Sequence, residues 1–253
     1  MPLHFHLAGD PAGRPILAIH GVTGHGLRWR PLVEALPHRR WIGVDVRGHG
    51  DSPWTPPWTL EQHVTDAVGV LDELGIARAD VVGHSFGGAI ATHLSRSAPG
   101  RVRRLALLDP AIGLDPELML EFAENTCDDE SWPTREQARD AKAGDWPDVP
   151  SEILDDELDT HLEWRGDAWR WRYSRASVVA AWSQMARVAV VPPRGTPTLV
   201  VPAGRADYVS GEWLAACRAR LGDDLRVVPL DAGHMVFLER PGEVAAALGE
   251  FLD

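Results

Sequence analysis

The chain has 253 residues and a net charge of −12, from 25 basic and 37 acidic side chains. This length fits one large α/β domain with an insertion, and the acidic balance argues against a nucleic-acid partner or an anionic membrane surface. No stretch approaches the ~18 apolar residues of a membrane span, and the N-terminus lacks the basic region and apolar core of a signal peptide. The two cysteines, Cys127 and Cys217, have no metal-ligand spacing. We therefore expect a cytoplasmic protein with two free thiols.

Strand and helix signals alternate along most of the chain. After an N-terminal segment that alternates like a strand, apolar strand signals fall at 15–20, 40–46, 79–83, 102–108, 197–202 and 225–230. Several are continuous apolar runs, as in strands that are buried on both faces. Helices are predicted between them at about 28–36, 60–74, 86–98, 210–221 and 241–252. This order predicts an α/β fold with a mostly parallel central sheet and helices on both faces.

The alternation stops between residues 112 and 194. This stretch has no convincing strand signal and carries acidic, helix-like segments. It also holds six of the eleven tryptophans, which are Trp132, Trp146, Trp164, Trp169, Trp171 and Trp182. Because strand signals resume afterwards, we interpret residues 1–111 and 195–253 as one core domain and residues 112–194 as an inserted helical cap.

The most informative motif is GHSFGG at residues 83–88, which lies where a strand signal meets a helix signal. A G-x-S-x-G motif in that context is typical of a nucleophile elbow, a strained turn that lifts the serine hydroxyl above the sheet. Gly83 and Gly87 suit such a turn because a Cβ there would collide with the neighbouring backbone. The motif makes Ser85 a candidate nucleophile at a helix N-terminus, where backbone amides favour developing negative charge.

Four motifs in order resemble those of the α/β-hydrolase fold superfamily, in its serine-hydrolase (carboxylesterase and lipase-like) branch with a helical cap. They are HGVTG at 20–24, DVRGHGDS at 45–52, GHSFGG at 83–88, and AGRAD at 203–207 followed by AGHMVFLERP at 232–241. The resemblance covers essentially the whole chain and is weakest in the cap. It implies serine-based catalysis that needs no metal and no cofactor. A serine at position 85 argues against the dehalogenases and epoxide hydrolases of this fold, which use a carboxylate nucleophile.

A serine nucleophile needs a base and a carboxylate that orients the base. His234 follows the last strand signal on a loop at the same end of the sheet as the elbow, where this fold carries its catalytic histidine. Asp207 is the expected carboxylate: it satisfies the chain order serine, acid, histidine and lies in a G-x-x-D arrangement after a strand signal. Asp109, at the end of the strand after the elbow, remains an alternative because some relatives carry the acid there, and Asp231 is interpreted as a turn residue.

The tetrahedral intermediate needs two backbone N–H donors. One is expected from Phe86, the residue after the nucleophile, and the resemblance implies Val22 as the second. Thr23, His25 and Trp29 are candidate substrate-binding residues beside this loop. In DVRGHGDS, Asp45 and Arg47 are interpreted as structural residues that tie loops together, whereas His49 is left as a candidate for the cleft.

These features predict a serine hydrolase that cleaves a small, apolar or aromatic carboxylic ester through an acyl-enzyme on Ser85. Lactones, thioesters and C–C bonds remain alternatives, since the same residues serve those reactions. A ligand-binding protein of the same fold without hydrolytic activity is the alternative of a different class.

Overall fold

The computed structural model describes residues 2–128 and 130–253. Its central sheet has seven strands: β1 (Phe5–Gly9), β2 (Pro15–Ile19), β3 (Arg40–Val44), β4 (Ala79–His84), β5 (Val102–Leu108), β8 (Thr198–Val201) and β9 (Leu225–Val227). A separate hairpin consists of β6 (Leu162–Arg165) and β7 (Ala168–Trp171). The helices are α1 (Arg30–Ala35), α2 (Leu60–Glu73), α3 (Phe86–Ser97), α4 (Pro116–Cys127), α5 (Arg135–Asp145), α6 (Ser151–His161), α7 (Arg175–Met185), α8 (Gly211–Leu221), α9 (Val236–Glu239) and α10 (Pro241–Leu252).

The sheet order is β1-β3-β2-β4-β5-β8-β9, and every neighbouring pair is parallel except β1 with β3. The predicted fold class is confirmed, and the predicted core strands and helices agree with the structure to within about three residues at each end. Parallel strands buried on both faces give long apolar runs, which is why their sequence signal is clear.

Alternate residues of each central strand supply the two faces of the sheet. On β2, Leu17 and Ile19 join a core cluster with residues of α2, α3 and α8. Ile16 and Ala18 join a second cluster with residues of α1, α9 and α10. Burial of these side chains, at about 1.5–3 kcal/mol each, is the main term that fixes the sheet between its two helix layers.

In the described residues between β5 and β8, the chain forms four helices, α4 to α7, and the β6–β7 hairpin. The absence of strands predicted there is wrong. Backbone hydrogen bonds join its end to the loop after β3: Gly50 N–H donates to Arg172 O at 2.8 Å, and Ser174 N–H donates to Gly48 O at 2.7 Å. The cap boundary at residues 112 and 194 stays a prediction.

The loop after β3 also supports the core. The Asp45 carboxylate accepts from Gly26 N–H at 2.7 Å, and Arg47 makes two hydrogen bonds of 2.8 Å to Asp66. This arrangement agrees with the structural role predicted for both residues. His49, by contrast, is buried and does not line the cleft described below.

Candidate active site

Ser85 lies at a strained turn between β4 and α3. Its backbone has φ 53° and ψ −122°, in a region that a residue with a Cβ rarely adopts. A Cβ on Gly83 would lie 2.4 Å from Gly87 O, and a Cβ on Gly87 would lie 2.0 Å from Ile19 O. These two glycines are therefore required by close backbone packing, and the turn carries the Ser85 hydroxyl to the end of the sheet.

The imidazole of His234 lies within hydrogen-bond distance of that hydroxyl. His234 Nε2 is 2.9 Å from Ser85 Oγ. The loop that carries His234 is held by His84, whose Nε2–H donates to the His234 carbonyl at 2.8 Å, and burial keeps the pKa of His84 well below its usual value. Tyr208 stacks on the His234 ring, with centroids 3.7 Å apart and planes 16° apart. The imidazole is thus fixed on two sides.

The carboxylate next to His234 belongs to Asp109. Asp109 Oδ2 is 2.6 Å from His234 Nδ1, and Asp109 Oδ1 accepts from the Ala203 N–H at 3.0 Å. The Asp109 side chain is fully buried, and its φ of 41° turns it out of the end of β5. This contact orients the imidazole with Nδ1–H toward the acid and Nε2 toward the serine.

Asp207, the predicted acid, does not lie beside His234 in the structure; Asp109 does. Asp207 is exposed, and within residues 2–128 and 130–253 its side chain has no hydrogen-bond or ion-pair partner. Asp109 reaches His234 from the end of β5, whereas Asp207 lies exposed on the loop after β8. Asp231 pairs with Arg205 on the surface and stays outside the site.

The loop after β2 approaches Ser85 closely enough to supply an N–H donor. A Cβ on Gly21 would lie 2.8 Å from the Ser85 Cβ. His20 Nδ1–H donates to Gly21 O at 2.7 Å, while His20 Nε2 accepts from Val46 N–H at 3.0 Å. Because Gly21 O and the Val22 N–H belong to one planar peptide, this hydrogen bond orients the Val22 N–H.

The two expected donors are available. In the described part of the chain, neither the Val22 N–H nor the Phe86 N–H has an acceptor. Phe86 is the first residue of α3, where the N–H has no partner within the helix. Both groups are thus available to an oxyanion at Ser85.

A cleft of about 630 Å³ lies over these groups. Core residues and cap residues line it together, including Val22, Thr23, Ser85, Tyr208 and His234 from the core and Phe122, Lys142, Trp146, Tyr173, Val178 and Trp182 from the cap. Two of the six cap tryptophans therefore face the cleft. This volume suits a small-molecule ligand, because such sites are typically 300–1,000 Å³ and largely apolar.

Of the three predicted substrate-binding residues, only Thr23 lines the cleft. His25 points inward, with Nε2 2.9 Å from Glu157 Oε2. Trp29 is 1% exposed and stacks on Phe237 with ring centroids 4.6 Å apart. The structure does not bring His25 and Trp29 to the cleft, because both side chains have partners in the interior.

Sequence reasoning missed Lys142 and Tyr208. Lys142 is the only lysine of the chain, and its ammonium lies 5.0 Å from the Trp146 ring centroid and 4.9 Å from that of Trp171. Being the only lysine among 25 basic residues is the one feature of the sequence that distinguishes Lys142. Tyr208 directly follows Asp207, and no motif in the sequence indicates that it stacks on His234.

A possible metal-binding group lies apart from the cleft. His4, His6 and Asp45 have ligand atoms within 4.8 Å of one another. Contacts between the three side chains explain their closeness, since the Asp45 carboxylate lies 3.1 Å from His4 Nδ1 and 3.4 Å from His6 Nε2.

The helices of the described ranges are too short or too polar to cross a membrane.

Comparison with known proteins agrees with this geometry. A sequence profile of the alpha/beta hydrolase family matches residues 16–247. Lipase LipV of Mycobacterium tuberculosis is 42% identical over 250 residues, which cover 97% of this chain and 96% of the lipase. Esterase YbfF of Escherichia coli is 28% identical, with 94% and 93% of the two chains covered.

The solved structures extend the comparison to the fold. E-2-(acetamidomethylene)succinate hydrolase superposes with a TM-score of 0.88 at 23% identity, over 99% of this chain and 95% of that one. At that identity the likeness establishes the fold alone. The prediction of an ester hydrolase is confirmed at the level of enzyme class by the lipase and the esterase, and the chain belongs to the alpha/beta hydrolase family.

Proposed function

We propose that the protein hydrolyses small, apolar or aromatic carboxylic esters with a triad of Ser85, His234 and Asp109. The observation that carries the proposal is the continuous contact from Asp109 Oδ2 to His234 at 2.6 Å and from His234 to Ser85 Oγ at 2.9 Å. Activation of a serine by a base that a third group orients is the arrangement that acyl transfer requires.

In the first half of the reaction, Ser85 Oγ attacks the ester carbonyl carbon while its proton passes to His234 Nε2. The carbonyl oxygen becomes an oxyanion, which the N–H groups of Val22 and Phe86 bind. Collapse of this intermediate breaks the bond to the alcohol, which leaves with the proton from His234. The acyl group then remains on Ser85 as an ester.

In the second half, a water molecule gives its proton to His234 Nε2 and attacks the acyl-enzyme. The second oxyanion is held by the same two N–H groups, and collapse returns the proton to Ser85 Oγ and releases the acid. Asp109 stabilises the imidazolium in both halves. Oxyanion donors are expected to supply much of the rate, since loss of one typically costs about 10²–10³ in kcat.

The extent of the sequence matches supports ester hydrolysis over hydrolysis of lactones, thioesters or C–C bonds. The lipase and the esterase match nearly the whole chain, including the cap. The 2-hydroxymuconate semialdehyde hydrolase of Pseudomonas sp. is 44% identical, but over only 42% of this chain. The aromatic cap side chains Phe122, Trp146 and Trp182 favour an apolar acyl or alcohol group in the cleft. The cytoplasmic location stays a prediction.

The test is hydrolysis of p-nitrophenyl esters of increasing acyl length by the wild type and by Ser85→Ala. We expect hydrolysis by the wild type and a loss of about five to six orders of magnitude in the variant, as for other serine triads. A variant within about tenfold of the wild type would contradict the serine mechanism. A folded wild type with no activity on any ester, lactone or thioester would favour the ligand-binding alternative.

A further inference from the structure

A buried ion cluster joins the cap to the turn beside the nucleophile. Glu157, on cap helix α6, accepts two hydrogen bonds from Arg28. Arg28 Nε donates to Glu157 Oε2 at 3.0 Å, and Arg28 Nη2 donates to Glu157 Oε1. The side chains of Arg28 and Glu157 are each 3% exposed. His25 Nε2 contacts the same carboxylate at 2.9 Å. The cap thus places one ionised group deep against the core.

Arg28 also holds the backbone of the oxyanion loop, defined as residues 21–24. Its Nη2 donates to Thr23 O at 2.8 Å. Thr23 has a φ of 63°, a left-handed conformation that a threonine keeps only where its surroundings fix it. The Gly24 N–H donates to Gly21 O at 3.1 Å and closes the turn. Val22, which supplies the expected oxyanion donor, lies inside this turn.

The Glu157 carboxylate is ionised and pairs with the positive charge of Arg28. Burial alone would favour the protonated acid, but Arg28 and His25 hold the pKa of Glu157 well below its usual range. The carboxylate is therefore ionised and fixes the guanidinium in one orientation. A buried ion pair adds little net stability compared with apolar side chains of similar size. Its main consequence here is the position of the guanidinium.

We propose that Glu157 is a positioning residue through which the cap completes the oxyanion hole. Glu157 orients Arg28, Arg28 fixes the Thr23 carbonyl, and the fixed turn aims the Val22 N–H at the oxyanion. This inference rests on the proposed function, because it assigns a role to Val22 in acyl transfer. It makes cap helix α6, which does not itself line the cleft, part of the catalytic geometry.

The chain offers a matched control on the same helix. Arg30 and Asp156 form an ion pair that also joins α6 to the core, but their side chains are 43% and 34% exposed. That pair joins α6 to α1, which begins two residues after Arg28, near the surface. Asp156→Asn therefore removes a cap-to-core ion pair without a contact to the oxyanion loop.

The experiment compares Glu157→Gln, Arg28→Lys and Asp156→Asn with a short p-nitrophenyl ester. We expect the first two to lower kcat by about 10- to 100-fold, less than complete loss of an oxyanion donor, while KM changes little. The Asp156→Asn variant should keep the wild-type kcat. Arg28→Lys keeps the positive charge for Glu157 but lacks the planar fork that reaches two acceptors at once.

Two inhibitors separate positioning from general damage. A trifluoromethyl ketone adds to Ser85 and places an oxyanion in the hole, whereas the corresponding secondary alcohol occupies the cleft without one. The side chain of Arg28 lines the cleft but that of Glu157 does not, so this comparison is made in Glu157→Gln. In that variant the inhibition constant of the ketone should rise by the same factor as kcat/KM falls, and that of the alcohol should stay unchanged. Equal loss of affinity for both compounds, or unchanged kcat in both folded variants, would overturn the inference.

A double variant covers the case in which a single change prevents folding. Arg28→Met with Glu157→Met replaces the ion pair by apolar side chains, which a buried site tolerates. We expect it to fold, with the same loss of kcat and of ketone affinity as the single variants. Wild-type kinetics in this variant would overturn the inference. If the wild type itself neither hydrolyses esters nor binds the ketone, the proposed function fails instead.

Discussion

The core and the cap contribute differently to the site. The proposed catalytic groups all belong to the core. They are Ser85, His234, Asp109 and two backbone N–H donors, and they lie in loops that follow strands or at the start of a helix. The cap supplies much of the cleft wall, including Trp146 and Trp182. A fold of this kind can therefore keep one reaction while the cap sets which ester enters. Glu157 is an exception to this division of roles between core and cap, because it belongs to the cap and contacts the oxyanion loop through Arg28.

The largest expected effect tests the core side of the comparison. Asp109→Asn should lower kcat by about 10⁴, since the amide nitrogen toward His234 Nδ1 favours the wrong imidazole tautomer. The Asp109 carboxylate is fully buried and has a hydrogen-bond partner at each oxygen. Asparagine has the same shape, so we expect its side chain to occupy the same position. Steady-state kinetics with a short p-nitrophenyl ester measure the loss.

Asp207→Asn is the matched control for that change. Because Asp207 is exposed, we expect kcat within about twofold of the wild type, in line with ordinary surface substitutions. A large loss in Asp207→Asn together with a small loss in Asp109→Asn would return the acid to the loop after β8 and contradict the structure.

The next effect contrasts a core tryptophan with a cap tryptophan. Trp29→Ala should lower the free energy of unfolding by about 3–5 kcal/mol through the cavity it leaves, since Trp29 is 1% exposed and stacks on Phe237. Trp164 is 54% exposed, so Trp164→Ala should change it by no more than about 0.5 kcal/mol. Urea unfolding followed by circular dichroism measures both. A smaller loss for Trp29 than for Trp164 would reverse the assignment of their environments.

The smallest effect tests the cap as the source of substrate choice. Trp146→Ala and Trp182→Ala should change the ratio of kcat/KM for a long and a short p-nitrophenyl ester, because discrimination arises where the rest of the substrate makes contact. The expected change is about 10- to 200-fold, corresponding to about 1–3 kcal/mol for each methylene-sized contact. Trp164→Ala, outside the cleft, is the control. A constant ratio in folded variants would place substrate choice in the core loop at Thr23.

The sequence predicts the core well and the cap poorly for a physical reason. Strands β2, β4 and β5 are buried on both faces, so they require nearly continuous apolar residues and their limits are clear. The cap hairpin, Leu162–Arg165 and Ala168–Trp171, has only four residues in each strand and alternates arginine with tryptophan. Short segments without an apolar run give no distinct strand signal, so the sequence does not predict this hairpin.

The site shows the same limit. The elbow motif locates Ser85 because the turn itself demands glycines, and the motif order locates His234. The order serine, acid, histidine fits both Asp109 and Asp207, so it does not identify the acid. The contact of Asp109 with His234 depends on the three-dimensional fold. His25 and Trp29 lie near Thr23 in the sequence, yet their direction depends on partners such as Glu157 and Phe237 that are more than a hundred residues away.

The central claim is that Ser85 is the activated nucleophile of this core. Its most direct test is reaction with an active-site-directed fluorophosphonate, followed by mass spectrometry of the peptide that carries the adduct. The account predicts one adduct per chain, on Ser85, and a rate of labelling that falls sharply in Asp109→Asn but not in Asp207→Asn. Absence of an adduct in folded wild-type protein, or an adduct on another residue that persists in Ser85→Ala, would contradict it.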